Sequence, residues 1–337
     1  MSDYFFPKRV FIEENALNYP LGKKLYQKFL TSSIPLEKIT AHNKMEMDNK
    51  MSAEESFKWA KETLVIGVKK TLTLQPCSPS ADYRLVLGTS CPGKCEYCYL
   101  ASTLGPRVYL RIYVNIEEIL QTVDRVLEKK ETEKPISFEA SSSSDPVPTE
   151  HLTGLLSRCI EFFSLKERAK LRIVTKFHQV EPLLDIEHKN NTLFRFSLNA
   201  PQVIEKFEGG TSSLTQRLNA GGKIHSAGYP LGFIIAPLLL FPGWKEDYQK
   251  LFDLMREYID GDIPLNFELI MHRFTKTARR IIEARFPSTA LDFSPEDRVH
   301  KGFGKYVYNP EKARELKDYL ENLIQKNYPR AKIQYFT

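Results

Sequence analysis

Hydrophobic positions along this chain follow two alternating rhythms. From Tyr83 onward, short runs of apolar, β-branched or aromatic residues recur at Tyr83–Leu87, Ile136–Ala140, Leu171–Thr175, Leu193–Leu198, Leu231–Ala236 and Leu265–Ile270. Between them, at Ile116–Lys129, Leu152–Phe163, Leu214–Ala227 and Lys245–Ile259, apolar residues return with helical spacing. Near-continuous apolar strands separated by amphipathic helices predict a parallel sheet covered by helices. Asn115, with Glu118 three residues on, predicts a capping box at the start of the first of these helices. The six strand–helix units suit a partial barrel at least as well as an open doubly wound sheet. Ahead of them, a strand near Arg9–Glu13 and helices near Leu21–Leu30 and Glu54–Lys61 predict an α/β extension over residues 1–75.

In either architecture the loops after the carboxyl ends of the strands carry the chemistry. Polar groups collect at those places. Gly88, Thr89, Ser90 and a cysteine cluster follow the first run, Ser141–Ser144 the second, and Lys176, Phe177 and His178 the third. Ser197 and Asn199 end the fourth, and His272 and Arg273 follow the sixth.

Composition narrows the class. With 337 residues, 42% hydrophobic and 27% charged, the chain can bury a large core and is not of a disordered type. A net charge of +6 suits a polyanionic partner without requiring one. Met1–Leu30 has no unbroken apolar segment of the secretory kind. The most apolar stretch, Tyr229–Trp244, is too short for a bilayer and is broken by Pro230, Pro237 and Pro242. A cytoplasmic protein with no membrane association, acting as a monomer, is expected. In that compartment five cysteines, three of them clustered, point to metal or catalysis and away from disulfides.

Residues 88–100 read Gly-Thr-Ser-Cys-Pro-Gly-Lys-Cys-Glu-Tyr-Cys-Tyr-Leu, so the thiols stand as Cys91-x-x-x-Cys95-x-x-Cys98. Pro92 and Gly93 permit a tight turn that lets three thiolates converge. Thiolates select iron–sulfur clusters, zinc or copper(I). A structural zinc site needs a fourth protein ligand at short range, and no further Cys or His follows nearby. Three cysteines on a four-iron cluster leave one iron open to a small molecule. This spacing after a first strand, with Tyr97 just before the third cysteine, resembles the signature of the radical S-adenosylmethionine (AdoMet) superfamily. The resemblance implies a [4Fe-4S] cluster on Cys91, Cys95 and Cys98, with AdoMet on the open iron. One electron then splits the sulfonium to a 5′-deoxyadenosyl radical. It also implies that Tyr97 lies against the adenine.

Beyond the cluster, colinear stretches along nearly the whole chain resemble the spore photoproduct lyases. They are Tyr-Pro-Leu-Gly-Lys at 19–23, Cys-Glu-Tyr-Cys-Tyr-Leu at 95–100, Phe-Glu-Ala-Ser at 138–141 and Val-Thr-Lys-Phe-His at 174–178. Phe-Arg-Phe-Ser-Leu-Asn-Ala at 194–200, Gly-Tyr-Pro-Leu-Gly-Phe-Ile at 228–234, His-Arg-Phe-Thr-Lys at 272–276 and the terminal Ile-Gln-Tyr-Phe-Thr complete the series. The resemblance implies an α/β partial (β/α)6 TIM-type barrel over residues 76–272. A C-terminal segment, 273–337, would carry a hairpin and a terminal helix. It further implies repair of a methylene-bridged thymine dimer in DNA. The adenosyl radical takes a hydrogen from the lesion, the bridge breaks, and a protein thiol returns a hydrogen atom. The thiyl radical, through tyrosine, then restores the adenosyl radical.

By the same resemblance Lys176 and Ser197 bind the cofactor's polar end, Ser144 lines its pocket, and Tyr97 and Tyr99 are the tyrosines nearest the cluster. Each has a plainer reading. Lys176 could be a rim cation paired with a carboxylate, Ser197 could bond backbone at a strand end, and Tyr99 could be a packed aromatic. One position departs from the family: where a donor cysteine follows Phe-Glu-Ala-Ser, this chain has Ser142. An O–H bond is much stronger than S–H, so serine cannot donate a hydrogen atom to a carbon radical. Cys159 falls on an apolar helical face and reads as core. Cys77, in the Pro-flanked loop Gln-Pro-Cys-Ser-Pro-Ser, is therefore the candidate donor.

Basic residues gather late, at Arg273, Lys276, Arg279 and Arg280, then Arg298, His300, Lys301 and Lys305 around Gly302 and Gly304. The second set predicts a basic hairpin able to hold phosphates while the lesion is extruded from the stack. Arg273, Arg298, His300, Lys301 and Lys305 are the expected DNA contacts. The expected partners are duplex DNA carrying the dimer and a low-potential electron donor such as a ferredoxin or flavodoxin. Three other readings stand beside this one: a radical enzyme on another substrate, an inactive or engineered variant, and a metal-stabilised DNA-binding protein without activity.

Overall fold

A computed structural model describes residues 4–42, 45, 50–130 and 132–337. Most apolar runs become strands within one or two residues of the expected bounds: Ile136–Glu139, Ala169–Thr175, Thr192–Leu198, Leu231–Leu238 and Asn266–Met271. The described strands include an eight-membered set. A separate N-terminal sheet has five strands. This is the expected α/β class, a partial barrel with an N-terminal extension. No described helix is long and apolar enough to cross a membrane.

By internal contacts the chain divides into two compact units. The first comprises Met1–Pro92, Leu104–Thr175 and Gln179–Leu193. Its N-terminal sheet runs Leu36–Ile39, Arg9–Glu13, Thr63–Gly67, Leu110–Tyr113 and Gly88–Thr89, parallel except for the last pair. Val10, Ile12, Leu64, Ile66, Leu110 and Ile112 bury one face against Leu25 and Phe29 of the helix Pro20–Leu30. Each such side chain contributes about 1.5–3 kcal/mol. The helix Ala53–Lys61 starts at a reciprocal cap between Ser52 and Glu55. In the same unit Ala81–Arg84, Ile136–Glu139 and Ala169–Thr175 pair in parallel, and Gln75–Cys77 returns antiparallel along Ala81–Arg84.

Three local expectations change in this unit. The run Tyr83–Leu87 resolves into the strand Ala81–Arg84 and the short strand Gly88–Thr89. A Cβ on Gly88 would lie 2.2 Å from the Arg111 carbonyl oxygen, so glycine alone permits that close pairing. The helix expected over Leu152–Phe163 is two, Glu150–Thr153 and Leu155–Ser164, because Gly154 takes a left-handed φ of 64° and ends the first. The Glu150 carboxylate restarts the second by accepting from the Leu156 and Ser157 backbone N–H groups. Asn115 does stand at the start of Ile116–Lys129, but it forms no capping box. Its side chain instead clasps both backbone groups of Lys69 and donates to Glu118.

The second unit comprises Gly93–Thr103, Lys176–His178 and Phe194–Thr337. Within it Phe194–Leu198, Leu231–Leu238, Asn266–Met271 and Lys332–Phe336 pair in parallel. A fully buried ion pair joins Arg195 to Glu268 at 2.9 Å, and the Tyr335 hydroxyl donates to the same carboxylate at 2.5 Å. The C-terminal strand is thereby tied to the sheet. The expected hairpin is present: Arg298–Lys301 and Lys305–Tyr308 flank a tip at Gly302–Gly304, with Phe274–Thr275 as a third antiparallel strand.

Candidate active site

In the first unit, the approach to the cysteine cluster is knitted to the serine loop. Ser90 adopts φ 66°, an uncommon conformation for a residue with a side chain. Its N–H donates to the Ser143 carbonyl at 2.8 Å, its hydroxyl donates to the Val108 carbonyl at 2.6 Å, and it forms a β-bridge with Ser144. Ser143 returns a bond from its hydroxyl to the Gly88 carbonyl. The hydroxyls of Ser142 and Ser144 are buried and have no hydrogen-bond partner among the described residues. Orphaned polar atoms in a buried loop mark a place where a further polar group is expected.

Cys77 is not in an open loop. It ends the short strand Gln75–Cys77 and is buried, because the chain folds back and pairs Cys77 with Ala81. In the turn between them the Ser80 hydroxyl donates to Glu139 at 2.7 Å. Glu139 also accepts from the Ser141 N–H at 3.2 Å. One buried carboxylate thus braces both the Cys77 turn and the start of the serine loop. Cys159 lies wholly inside the helix Leu155–Ser164, and burial pushes its thiol far up.

In the second unit, Cys95 sits in the short strand Lys94–Cys95, paired antiparallel with Glu208–Gly209 so that Cys95 faces Glu208. The Cys98 N–H donates to the Cys95 carbonyl, closing the turn that leads into the helix Tyr99–Thr103. Arg285 holds that helix by donating to the Ala101 carbonyl at 2.5 Å. Cys95 is buried, and Cys91 and Cys98 are half-buried. Three reduced thiols of this kind are a donor set that fits an iron–sulfur cluster.

Tyr97 and Lys176 meet on a residue that the sequence did not single out. The Lys176 ammonium pairs with Glu208 at 2.5 Å, and the Tyr97 hydroxyl donates to the same carboxylate. Lys176 also lies 3.3 Å from the Tyr97 oxygen. Arg217 completes the cluster, 2.6 Å from the other Glu208 oxygen, while also donating to the Ser197 carbonyl at 2.9 Å. Burial alone would raise the Glu208 carboxyl; the Lys176 and Arg217 charges outweigh it and hold the group low. Burial, then the Glu208 charge, pushes the Tyr97 phenol well up. Lys176 thus pairs with a carboxylate, and the Ser197 backbone carbonyl accepts from Arg217. Tyr99, at 66% exposure, is not a packed aromatic.

The hairpin separates the expected DNA contacts. Arg273, His300, Lys301 and Lys305 are exposed, and Phe303 at the tip is 97% exposed. Arg298 is not among them. It is buried, donates to the His272 carbonyl at 2.8 Å and lies 3.6 Å over the Tyr308 ring, so it anchors the hairpin's base and cannot meet a phosphate at the surface. Arg279 is paired with Glu283 along the helix Lys276–Arg285.

The family model for spore photoproduct lyase matches residues 5–337. Spore photoproduct lyase of Bacillus subtilis (strain 168) is 45% identical over the whole of both chains. That of Clostridium acetobutylicum is 37% identical over 97% of this chain and 98% of its own. A solved spore photoproduct lyase complexed with dinucleoside spore photoproduct aligns at a TM-score of 0.95 and 43% identity, covering 99% of each chain. A double mutant of spore photoproduct lyase with bound AdoMet and the dinucleoside aligns equally well; in it a cysteine is exchanged for alanine and a serine for cysteine. Full-length matches at this level leave one conclusion: the chain belongs to the spore photoproduct lyase family.

Proposed function

We propose that this chain is a DNA-repair lyase that reverses the methylene-bridged thymine dimer in duplex DNA to two thymines. Family membership across residues 5–337, with Cys91, Cys95 and Cys98 all in place, is the observation that carries this reading. Those three cysteines would hold a [4Fe-4S] cluster, and Tyr97, Ser144, Lys176 and Ser197 would bind AdoMet. Bound there, the two cofactors would supply 5′-deoxyadenosyl radical chemistry for hydrogen-atom abstraction from the lesion.

The chain's own residues have the following tasks. Lys176 offers its ammonium to the cofactor's carboxylate. Its present partner Glu208 keeps Arg217 at 2.6 Å, so Lys176 can be drawn off without leaving a buried carboxylate unpaired. Ser144 brings a buried hydroxyl that has no other bond to keep. Cys77 supplies a hydrogen atom to the product radical: its S–H bond breaks and a C–H bond forms. Tyr97 and Tyr99 carry the radical back from the resulting thiyl. Ser142 marks the family position where the thiol is missing. A ferredoxin or flavodoxin is the proposed electron source, and the chain is proposed to act as a monomer. The division into an extension to residue 75, a barrel to 272 and a C-terminal segment belongs to the same proposal.

The decisive assay is anaerobic conversion of a defined dinucleotide lesion to thymines with AdoMet and a reductant. AdoMet cleavage without loss of lesion would assign the fold's chemistry to another substrate. DNA binding without AdoMet cleavage would make the protein a non-catalytic binder.

DNA contact is proposed for Arg273, His300, Lys301 and Lys305, with Arg298 holding the hairpin's base. Lys301→Ala and Lys305→Ala should each weaken duplex binding and lower its salt slope by about one unit. Equal affinity and slope in the double mutant would move the contact elsewhere on the chain.

A further inference from the structure

Lys61 is the last residue of the helix Ala53–Lys61, yet its side chain does not reach water; the residue is 2% exposed. Its ammonium donates to the Ser90 hydroxyl at 3.2 Å and to the Cys91 carbonyl at 2.9 Å, and lies 5.4 Å from the Phe57 ring centre. No carboxylate pairs with it among the described residues. Among the other buried cations, Arg195 and Arg217 each have a buried carboxylate, while Arg285 and Arg298 donate to the Ala101 and His272 carbonyls. A buried, unpaired ammonium is strongly unfavourable unless a countercharge stands nearby. Lys61 spends its bonds on the residue just before the first cluster cysteine and on that cysteine's own carbonyl.

We infer that Lys61 is a positioning residue that fixes the Cys91 backbone and supplies a buried positive charge to balance an anionic iron–sulfur cluster. The inference rests on the proposed cluster at Cys91, Cys95 and Cys98. Three thiolates on a four-iron core leave the assembly net negative, and reduction adds one more negative charge. A fixed cation close by favours the reduced form, since net charge and hydrogen bonding around a cluster set its potential. The N-terminal extension thereby acquires a part in the radical chemistry: it makes the cluster easier to reduce.

The test uses the full chain with its cluster reconstituted anaerobically, in the parent and in Lys61→Arg, Lys61→Gln and Lys61→Met. Iron content is measured, then the reduced fraction against applied potential by EPR. Glutamine keeps a hydrogen-bond donor without charge, and arginine keeps both. At the parent's midpoint, the ratio of reduced to oxidised cluster should fall on the order of tenfold in Lys61→Gln and Lys61→Met. In Lys61→Arg it should stay within about twofold. A Lys61→Gln cluster that titrates with the parent overturns the inference. Loss of iron in the two neutral variants with retention in Lys61→Arg supports it, whereas loss in all three assigns Lys61 to packing and overturns it. A parent chain without iron–sulfur absorbance removes the cluster reading itself, and this inference with it.

Discussion

Alanine in place of any one of Cys91, Cys95 or Cys98 should reduce AdoMet cleavage to background and strip iron from the reconstituted protein. The parent should hold about four irons per chain. Each cysteine stands in different surroundings, yet the expected loss is the same. The Cys91 carbonyl is held by Lys61, Cys95 is buried in the ladder with Glu208–Gly209, and Cys98 closes the turn onto Cys95. Those contacts are all made by backbone atoms, so alanine leaves them intact and removes only the sulfur. Loss of iron with the fold retained, read by iron assay and circular dichroism on the same sample, would separate ligation from packing. Stoichiometric zinc in the parent, with no iron–sulfur absorbance, would defeat the cluster reading.

The cysteine loop is conspicuous in the sequence because its pattern is local: three thiols at fixed spacing, after an apolar run, with glycine and proline to turn the chain. The strands were legible for a similar reason. A strand buried on both faces must be apolar at nearly every position, and the run Leu231–Ala236 is so; the run Leu193–Leu198 carries Arg195, whose buried charge is met by Glu268. Boundaries failed where backbone geometry outweighed side-chain pattern. Leu152 to Phe163 keeps helical spacing straight through Gly154, and periodicity takes no account of a left-handed φ. Asn115 and Glu118 have the right identities for a cap, but the Lys69 backbone groups claimed the asparagine first.

Glu208 was illegible for a different reason. It lies far along the chain from Tyr97 and Lys176, at the end of a short helix, followed by two glycines that read as a turn. Only the register of Glu208 against Cys95 brings its carboxylate to those two side chains. Lys61 is similar. A lysine closing an amphipathic helix is usually solvated, and nothing nearby in sequence says that this one turns inward to the Cys91 carbonyl. Arg298 was misplaced by composition: a run of basic residues around two glycines reads as one exposed surface. Arg298 instead opens its strand at the hairpin's base, where it is buried, and His300, Lys301 and Lys305 lie nearer the tip and are exposed.

Cys77→Ala should uncouple the start of repair from its completion. The variant keeps Cys91, Cys95, Cys98 and Lys176, so it should still cleave AdoMet and open the lesion. Closing the cycle is another matter. The product radical needs a weak X–H bond within reach, and the hydroxyl of Ser142 is not one. Cys77 offers a thiol, and the structure ties its turn to the serine loop through one carboxylate: Ser80 bonds Glu139 at 2.7 Å, and Glu139 accepts the Ser141 N–H. Cys159 is enclosed in its own helix packing. Without Cys77 the radical should be quenched by other routes. By-products should then replace thymines, and one AdoMet should be consumed for each lesion opened, where the parent reuses it over many turnovers. The measurement is the ratio of 5′-deoxyadenosine formed to lesion repaired, with products resolved by mass spectrometry. Ser142→Cys in the Cys77→Ala background should restore a low ratio and clean thymine, because it returns a thiol to the family position beside the same braced loop. Should Cys77→Ala instead repair with the parent's ratio, Cys77 is not the donor, and Cys159 or a small-molecule thiol takes its place.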